Sequence, residues 1–111
     1  MPKFGTITFT GKSGRKYTFT AYSRDSEFND LGAVYFMTKR TIDRAGKLSH
    51  ARIYVGQTDS LERRPLNHER KPCFDQHGAN CVCIYVEREE TIRRAIETDI
   101  RQAYDPPCNR Q

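Results

Sequence analysis

Hydrophobic and polar positions alternate along the first part of the chain. The apolar members of two alternating stretches are Ile7 and Phe9, then Tyr17, Phe19 and Ala21. A period of two is expected of strands that bury one face. Segment 11–16 lies between them and, with two glycines and a serine, is typical of a turn. Residues 4–22 are therefore predicted to form a β-hairpin.

Three mainly apolar segments follow, at residues 33–38, 51–55 and 81–86. Short apolar runs bounded by polar segments are typical of buried strands. The charged segment 39–49 is expected to turn the chain, so that the first two runs pair antiparallel. Gly56 is expected to end the second of them.

A helix is predicted after the second run. Segment 58–60, Thr-Asp-Ser, consists of residue types that cap helix N-termini, and the helix is expected to carry Leu61, Arg64 and His68. Pro65 conflicts with a continuous helix, because an interior proline removes one backbone hydrogen bond. The helix therefore either begins near Arg64 or is kinked.

The clearest helical pattern runs from about Glu89 to Tyr104. Its apolar stripe consists of Ile92, Ala95, Ile96, Ile100 and Ala103. Asp99 falls inside this stripe, where a carboxylate is unfavourable unless it is paired or lies at a cleft. Glu97 lies at the edge of the stripe. Segment 105–107, Asp-Pro-Pro, is expected to end the helix.

The order of the elements predicts an α+β fold. We expect a three-stranded antiparallel sheet flanked by helices, with an added N-terminal β-hairpin. Segment 71–80, which contains a proline and a glycine, is predicted to be a loop. Residues 1–30 would form the hairpin extension and a connector, and residues 31–111 the main unit of one compact domain.

The charge is unbalanced, with 19 Lys and Arg against 14 Asp and Glu, a net charge of +5. A basic surface favours polyanions such as nucleic acid or acidic lipid headgroups. No apolar run approaches the roughly 18 residues that a membrane helix needs. The first residues also lack the apolar core of a signal peptide. We therefore expect a cytoplasmic protein without a membrane partner.

The four cysteines are Cys73, Cys81, Cys83 and Cys108. Reduced thiols are expected, because no export signal is recognised. Cys81 and Cys83, two residues apart on a predicted strand, would point to the same face. With Cys73 and His77 upstream they make a zinc site an alternative, although buried free cysteine is the default.

Several residues stand in an order that the composition does not explain. They are Ala33-Val34-Tyr35, Tyr54-Val55-Gly56, Arg64, His68, Glu97 and Asn109. This order, with these gaps, resembles the GIY-YIG nuclease domain over residues 31–109. The two tripeptides stand where that family has Gly-Ile-Tyr and Tyr-Ile-Gly. Two departures are Ala33 in place of the first glycine, and Pro65 directly after Arg64.

The resemblance implies a Mg²⁺- or Mn²⁺-dependent endonuclease that hydrolyses phosphodiester bonds of duplex or branched DNA. Tyr35 would act as general base, with Tyr54 and His68 orienting water or phosphate, and the two tyrosines could exchange roles. Arg64 would offer its planar fork of donors to the phosphate. Glu97 would hold the metal through its carboxylate oxygens.

Two further positions, Gly56 and Asn109, are expected to support the site structurally, Asn109 by tying down the C-terminal tail. DNA contacts are expected from basic residues around the site: Arg63, Arg70, Lys71, Arg93, Arg94, Arg101, Lys39 and Arg40. Phosphate contacts of this kind carry little sequence information. The basic tip of the N-terminal hairpin would either extend the sheet or grip the duplex.

Two alternatives remain open at this stage. The chain could be a catalytically weak nucleic-acid-binding module, in which Pro65 displaces Arg64. It could also be a nuclease subunit that depends on a partner protein for specificity, since 111 residues leave little room for target recognition.

Overall fold

The structure is a computed structural model that describes residues 3–63 and 69–110, without the side chain of Arg63. Its strands are β1 (Lys3–Thr10), β2 (Lys16–Ser23), β3 (Ala33–Ile42), β4 (Leu48–Thr58) and β5 (Cys81–Val86). Its helices are α1 (Lys71–Gln76) and α2 (Glu90–Tyr104), with 3-10 turns at Leu61–Arg63 and Pro107–Asn109. The predicted α+β class is confirmed.

The sheet has five antiparallel strands in the order β1-β2-β5-β3-β4. The predicted three-stranded sheet is therefore too small, because β2 pairs with β5 from Thr20↔Ile84 to Ser23↔Cys81. Residues 81–84 are buried, and a strand in that position needs a neighbour on each side to satisfy its backbone. The N-terminal hairpin supplies the second neighbour and thus extends the sheet.

Strand β3 lies between β5 and β4 and is buried from Ala33 to Thr38. Pairing with β5 stops at Thr38, but β3 and β4 continue together as far as Ile42↔Leu48. Segment 39–49, predicted to turn the chain, is thus mostly strand. We call residues 39–52 the ribbon.

The turn of the ribbon is confined to residues 43–47. The Asp43 carboxylate accepts hydrogen bonds from the backbone N–H groups of Ala45 and Lys47, at 2.9 and 2.8 Å. Gly46 adopts a φ of 82°, which glycine takes without steric cost. At its other end β4 runs through Gly56 to Thr58, so the prediction that Gly56 ends this strand is wrong.

Each face of the sheet carries a core cluster. The α2-side cluster includes Phe9, Phe19, Phe36, Val55, Cys81, Cys83, Ile96 and Ile100. The α1-side cluster includes Tyr35, Met37, Ile53, Leu61, Phe74, Val82 and Cys108. The division follows from the period of two, since successive side chains of each strand point to opposite faces.

Helix α1 replaces the predicted loop at 71–80. Pro72 lies in its first turn, where no intrahelical N–H bond is lost. Phe74 is fully buried and anchors the helix in the α1-side cluster. A proline therefore marks the start of this helix, and the prediction of a loop was wrong over residues 71–76.

Helix α2 has the predicted bounds to within one residue, but it presents a different face. Ile96 and Ile100 are buried as expected, whereas Ile92 is 41% exposed and Ala95 and Ala103 are exposed. Arg93 is buried instead, at 4% exposure. The predicted apolar stripe is therefore wrong at this position, because an arginine whose donors find hydrogen-bond acceptors can be buried.

Cys73 and Cys108 form a disulfide that joins α1 to the turn Pro107–Asn109. The expectation of reduced thiols is wrong for this pair. Cys81 and Cys83 are free and buried in the α2-side cluster. The four-ligand zinc alternative is therefore not formed, because its members lie on opposite faces of the sheet.

In the described part of the chain, helices long and apolar enough to cross a bilayer are absent.

Asp99 ties the tip of the N-terminal hairpin to α2. Its carboxylate accepts hydrogen bonds from the Ser13 backbone N–H at 2.9 Å, the Ser13 hydroxyl at 2.7 Å and the Tyr17 hydroxyl at 2.8 Å. A Cβ atom at Gly11 would collide with this carboxylate. Asp99 was expected either to be paired or to lie at a cleft; it is paired, and the pairing fixes the hairpin tip.

Burial and these hydrogen bonds shift the pKa values of Asp99 and Tyr17 in the directions that favour the fold. Hydrogen bonds from Ser13, its hydroxyl foremost, hold the pKa of Asp99 below its usual value. Burial, followed by the Asp99 hydrogen bond, raises the pKa of Tyr17. The ionised Asp99 therefore stabilises the fold above the pKa of an unfolded aspartate, about 3.9. That stabilisation is lost as the pH falls through the folded pKa.

We expect Asp99→Ala to lower the melting temperature at pH 7 and to leave α2 helical. The difference from the wild type should shrink as the pH is lowered below about 4, because protonation removes the same interaction. Thermal unfolding monitored by circular dichroism across this range measures it. Glu90→Ala is the control on the same helix, since its surface pair with Arg94 is worth only about 0.3–0.5 kcal/mol. Equal losses in both variants, independent of pH, would contradict the role of Asp99.

Candidate functional site

The two tyrosines of the paired motifs meet on the α1-side face of the sheet. Tyr35 of β3 is opposite Gly56 of β4 in the register, and the Tyr35 and Tyr54 ring centroids are 6.0 Å apart. A Cβ atom at Gly56 would lie 2.8 Å from both the Tyr35 hydroxyl and the Tyr54 ring. Gly56 therefore lets the Tyr35 hydroxyl and the Tyr54 ring lie directly against the backbone of β4.

Burial distinguishes the two tyrosines. Tyr35 is 2% exposed, whereas Tyr54 is half-buried and its ring also contacts Phe74, at 5.4 Å between centroids. The Arg70 guanidinium carbon lies 5.5 Å from the centroid of the Tyr54 ring. Of the pair, Tyr54 thus has the greater access to solvent, and a positive charge lies near its ring.

Asn109 binds the strand that carries Tyr54 and Gly56. Its side-chain amide accepts from the Val55 backbone N–H at 2.9 Å and donates to the Val55 carbonyl at 2.8 Å. Because β4 is the last strand of the sheet, these bonds satisfy its outer edge as a further strand would. Asn109 therefore ties the C-terminal tail beside the tyrosines.

Arg70 connects the same tail to α1. It donates from Nη1 to the Cys108 carbonyl at 2.8 Å, and the disulfide fixes Cys108 to Cys73 in the following helix. The half-buried guanidinium is thus held in place between the tail and Tyr54.

Glu97 lies on α2, whose Ile96 and Ile100 pack in the α2-side cluster rather than with the tyrosines. Its side chain is 19% exposed, and the Arg101 guanidinium lies 3.9 Å away, at the limit of an ion pair. Burial raises the pKa of Glu97, against the opposing charges of Arg101 and Arg94. Among the described residues, burial therefore outweighs the effect of these two cations on the carboxylate.

Arg64 and His68 lie outside the described residues, and so does Pro65. The predicted helix that carries them begins within that part as a 3-10 turn, Leu61–Arg63. The structure consequently brings together Tyr35, Tyr54, Gly56, Asn109 and Arg70, and it places Glu97 on the helix of the other face.

The expected DNA contacts differ in their environments. Arg93 is not available for this role, since its guanidinium donates to the Gln57 side chain and to the carbonyls of Glu87 and Arg88 at 2.8–3.0 Å. Lys71 is exposed and pairs with Asp75 at 3.1 Å. The remaining described members are exposed or half-buried: Lys39, Arg40, Arg70, Arg94 and Arg101.

A groove of about 700 Å³ separates the exposed side of α2 from the C-terminal tail. It is lined by Thr98, Arg101, Gln102, Asp105, Pro106, Asn109 and Arg110. Arg101 therefore lies in a groove that also reaches Asn109. The position of Arg110 there had no signal in the sequence, because the disulfide and the Asn109 hydrogen bonds join the tail to segments far away in the chain.

A second group of polar residues lies within the α2-side face. The Thr38 hydroxyl is 2.8 Å from Nδ1 of His50, and both are close to Cys81 and Cys83 of β5. The interaction with Cys83, followed by the Thr38 hydroxyl and the charge of Arg40, holds the pKa of Cys81 below its usual value. Burial and the neighbouring arginines lower the pKa of His50.

Sequence reasoning singled out Cys81 and Cys83 but missed His50. The three residues meet because β3, lying between β4 and β5, aligns His50 with Arg40 and Cys81 with Thr38. Strand pairing across such a distance leaves no local pattern in the sequence.

Comparisons with known proteins give no independent support for a family. The chain matches no protein-family model, no curated protein and no solved structure. The resemblance to the GIY-YIG domain therefore depends on the order and spacing of the residues in the sequence.

Proposed function

We propose that the chain is a metal-dependent endonuclease of the GIY-YIG kind, acting on DNA. The observation that carries the proposal is the contact of Tyr35 and Tyr54 with Gly56, on two strands whose edge is fixed by Asn109. An ordinary core pair of tyrosines does not require a glycine opposite, nor a tail asparagine on the adjoining backbone.

Glu97 fits the role of a magnesium ligand. Mg²⁺ is bound in such sites through one or two carboxylates, keeping several waters and taking phosphate oxygens of the substrate. Glu97 is half-buried, and the described residue that approaches it as an ion pair is Arg101, at 3.9 Å, so a bound divalent ion would add positive charge beside the carboxylate. When bound, the metal would offset charge on the scissile phosphate and on the departing oxygen.

The tyrosine hydroxyls provide the proposed base. Tyr35 is assigned this role by resemblance, while the greater exposure of Tyr54 and the nearby Arg70 charge favour an exchange of roles. Either tyrosine, as its phenolate, would accept a proton from the attacking water and become the neutral phenol, while the other would orient the water. Arg64 and His68 complete the proposal as phosphate and water ligands.

The ribbon supports nucleic acid as the substrate. It carries the five basic residues Lys39, Arg40, Arg44, Lys47 and Arg52 against the single acid Asp43. Two antiparallel strands alone, without β5, extend the sheet there, and a two-stranded ribbon fits the major groove of B-DNA. The ribbon would therefore hold the duplex by its phosphates while the site acts.

Glu97→Gln should abolish most Mg²⁺-dependent cleavage of plasmid DNA, by about 100-fold or more, because the amide cannot replace a charged metal ligand. The fold should not suffer. Since burial raises the pKa of Glu97, its charged form does not stabilise the folded state at pH 7. The melting temperature is therefore expected to stay equal or rise slightly.

Glu90→Gln, on the same helix and exposed, is the control and should cut at the wild-type rate. Cleavage that survives in folded Glu97→Gln would remove Glu97 from the site. A folded wild-type chain that binds DNA without cutting, in either Mg²⁺ or Mn²⁺, would favour the binding module. Cutting that appears only with an added protein would favour the partner-dependent subunit.

Removing a single hydroxyl tests the base. Of Tyr35→Phe and Tyr54→Phe, we expect one to lower the cleavage rate by about 100-fold or more, the usual value of general base catalysis. Tyr85→Phe is the matched control, since Tyr85 lies on the α2-side face against Tyr17 and Phe19. Single-turnover cleavage rates measure the effect. Equal rates in all three folded variants would show that no tyrosine is special.

The ribbon is tested by the salt dependence of binding. Arg44→Ser with Lys47→Ser should weaken binding to duplex DNA, and each lost phosphate contact should lower the slope of log affinity against log salt by about 0.9. Fluorescence anisotropy at several salt concentrations measures this. The double variant Lys12→Ser with Arg15→Ser, in the turn of the other hairpin, removes the same charge. An identical change in both would mean that only net charge matters.

A further inference from the structure

We propose that His50, Cys81 and Cys83 bind a zinc ion inside the α2-side face, apart from the proposed catalytic site. The coordinating atoms of the three side chains, one ring nitrogen and two sulfurs, lie within 4.8 Å of one another. The residues come from β4 and β5, on either side of β3.

The donor set suits zinc or another soft cation. Two thiolates and one imidazole are common ligands of Zn²⁺, with Zn–S near 2.3 Å and Zn–N near 2.0–2.1 Å. Magnesium prefers oxygen and would not compete there. Cys81 and Cys83 are two residues apart on a strand, so both sulfurs point to one face, and neither is in a disulfide.

The surroundings match those of a ligated histidine. A histidine that binds metal through one nitrogen usually has the other held by a hydrogen bond. Thr38 lies 2.8 Å from Nδ1 of His50, which leaves Nε2 to the metal if Thr38 holds the Nδ1 proton. In that tautomer the threonine would also fix the orientation of the ring.

The charge balance is also compatible. Arg40 is the cross-strand partner of His50, and its Nε is buried without a hydrogen-bond partner. Two thiolates cancel the charge of Zn²⁺, so the nearby guanidinium faces a neutral centre rather than a second cation. An anion or a hydroxide in the fourth coordination position would be attracted to it.

An entry path exists on the side of His50. A groove of about 420 Å³ opens there between β1 and β4, lined by Thr6, Ile7, Leu48, Ser49, His50 and Arg52. The imidazole is half-buried at this groove, whereas Cys81 and Cys83 are fully buried. A metal would thus meet His50 first, and its binding would connect the base of the ribbon to β5.

Cobalt titration of the reduced protein tests the proposal without any measurement of cleavage. We expect one Co²⁺ per chain with thiolate-to-cobalt charge-transfer absorption, displaced by Zn²⁺ and unaffected by excess Mg²⁺. Cys81→Ser and Cys83→Ser should each lose about half of this absorption. Outer hydrogen-bond partners of metal ligands are worth about 10–100-fold in affinity, so His50→Gln, which removes a ligand itself, should weaken binding by at least about 10-fold.

The other sulfur cluster provides the matched control. Cys73, His77 and Cys108 also lie within 4.8 Å of one another, and reduction would free their thiols. Cys108→Ser and His77→Gln should leave the cobalt spectrum unchanged. The proposal is overturned if folded, reduced wild type shows no thiolate absorption with Co²⁺, or if the absorption is lost in Cys108→Ser and kept in Cys81→Ser. Circular dichroism checks that each variant is folded. If the variants of the buried cysteines unfold, His50→Gln, at a half-buried position, tests the site instead.

Discussion

The position of β3 between β4 and β5 is the constraint on which the rest of the structure depends. Its residues 33–38 are buried and hydrogen-bonded on both sides. A strand so placed can satisfy its backbone only if both neighbours are complete. The register with β4 sets Tyr35 opposite Gly56, and the same strand brings His50 and Cys81 into one cluster. Both proposed sites are thus set by a single pairing arrangement.

Local patterns predicted the elements that depend on local chemistry. Alternation found the hairpin, continuous apolar runs found β3 and β5, and helical spacing found α2. Asp99 was predicted to need either a partner or a cleft because a carboxylate in an apolar stripe is unfavourable, although the sequence did not indicate Ser13 or Tyr17 as its partners. Pairing of β2 with β5 was missed, since segments 60 residues apart carry no mutual signal.

The errors in α2 and α1 each have a physical cause. Hydrophobicity scales rank arginine as strongly polar, so it is predicted to be exposed. Arg93 can be buried because its guanidinium donates hydrogen bonds to the Gln57 side chain and to two loop carbonyls. Pro72 was taken as a helix breaker, although in a first turn it is tolerated. Of the acceptors of Arg93, Gln57 lies on a strand far from α2 in the sequence. The spacing of the motifs predicted which residues to consider for the candidate site. It did not predict the packing of Arg70 and Arg110, because that packing depends on the C-terminal tail.

The bonds of Asn109 to Val55 have a consequence for how copies of the chain meet. An outer strand with unpaired N–H and C=O groups is a template for another strand, and proteins that leave one open tend to aggregate. Asn109 occupies both groups at the middle of β4, and the disulfide across 35 residues keeps its turn in place. A crosslink of that span lowers the conformational entropy of the unfolded chain, which destabilises the unfolded state by about 4 kcal/mol. The tail therefore covers part of the outer edge of β4 and hinders the addition of a strand from a neighbouring molecule.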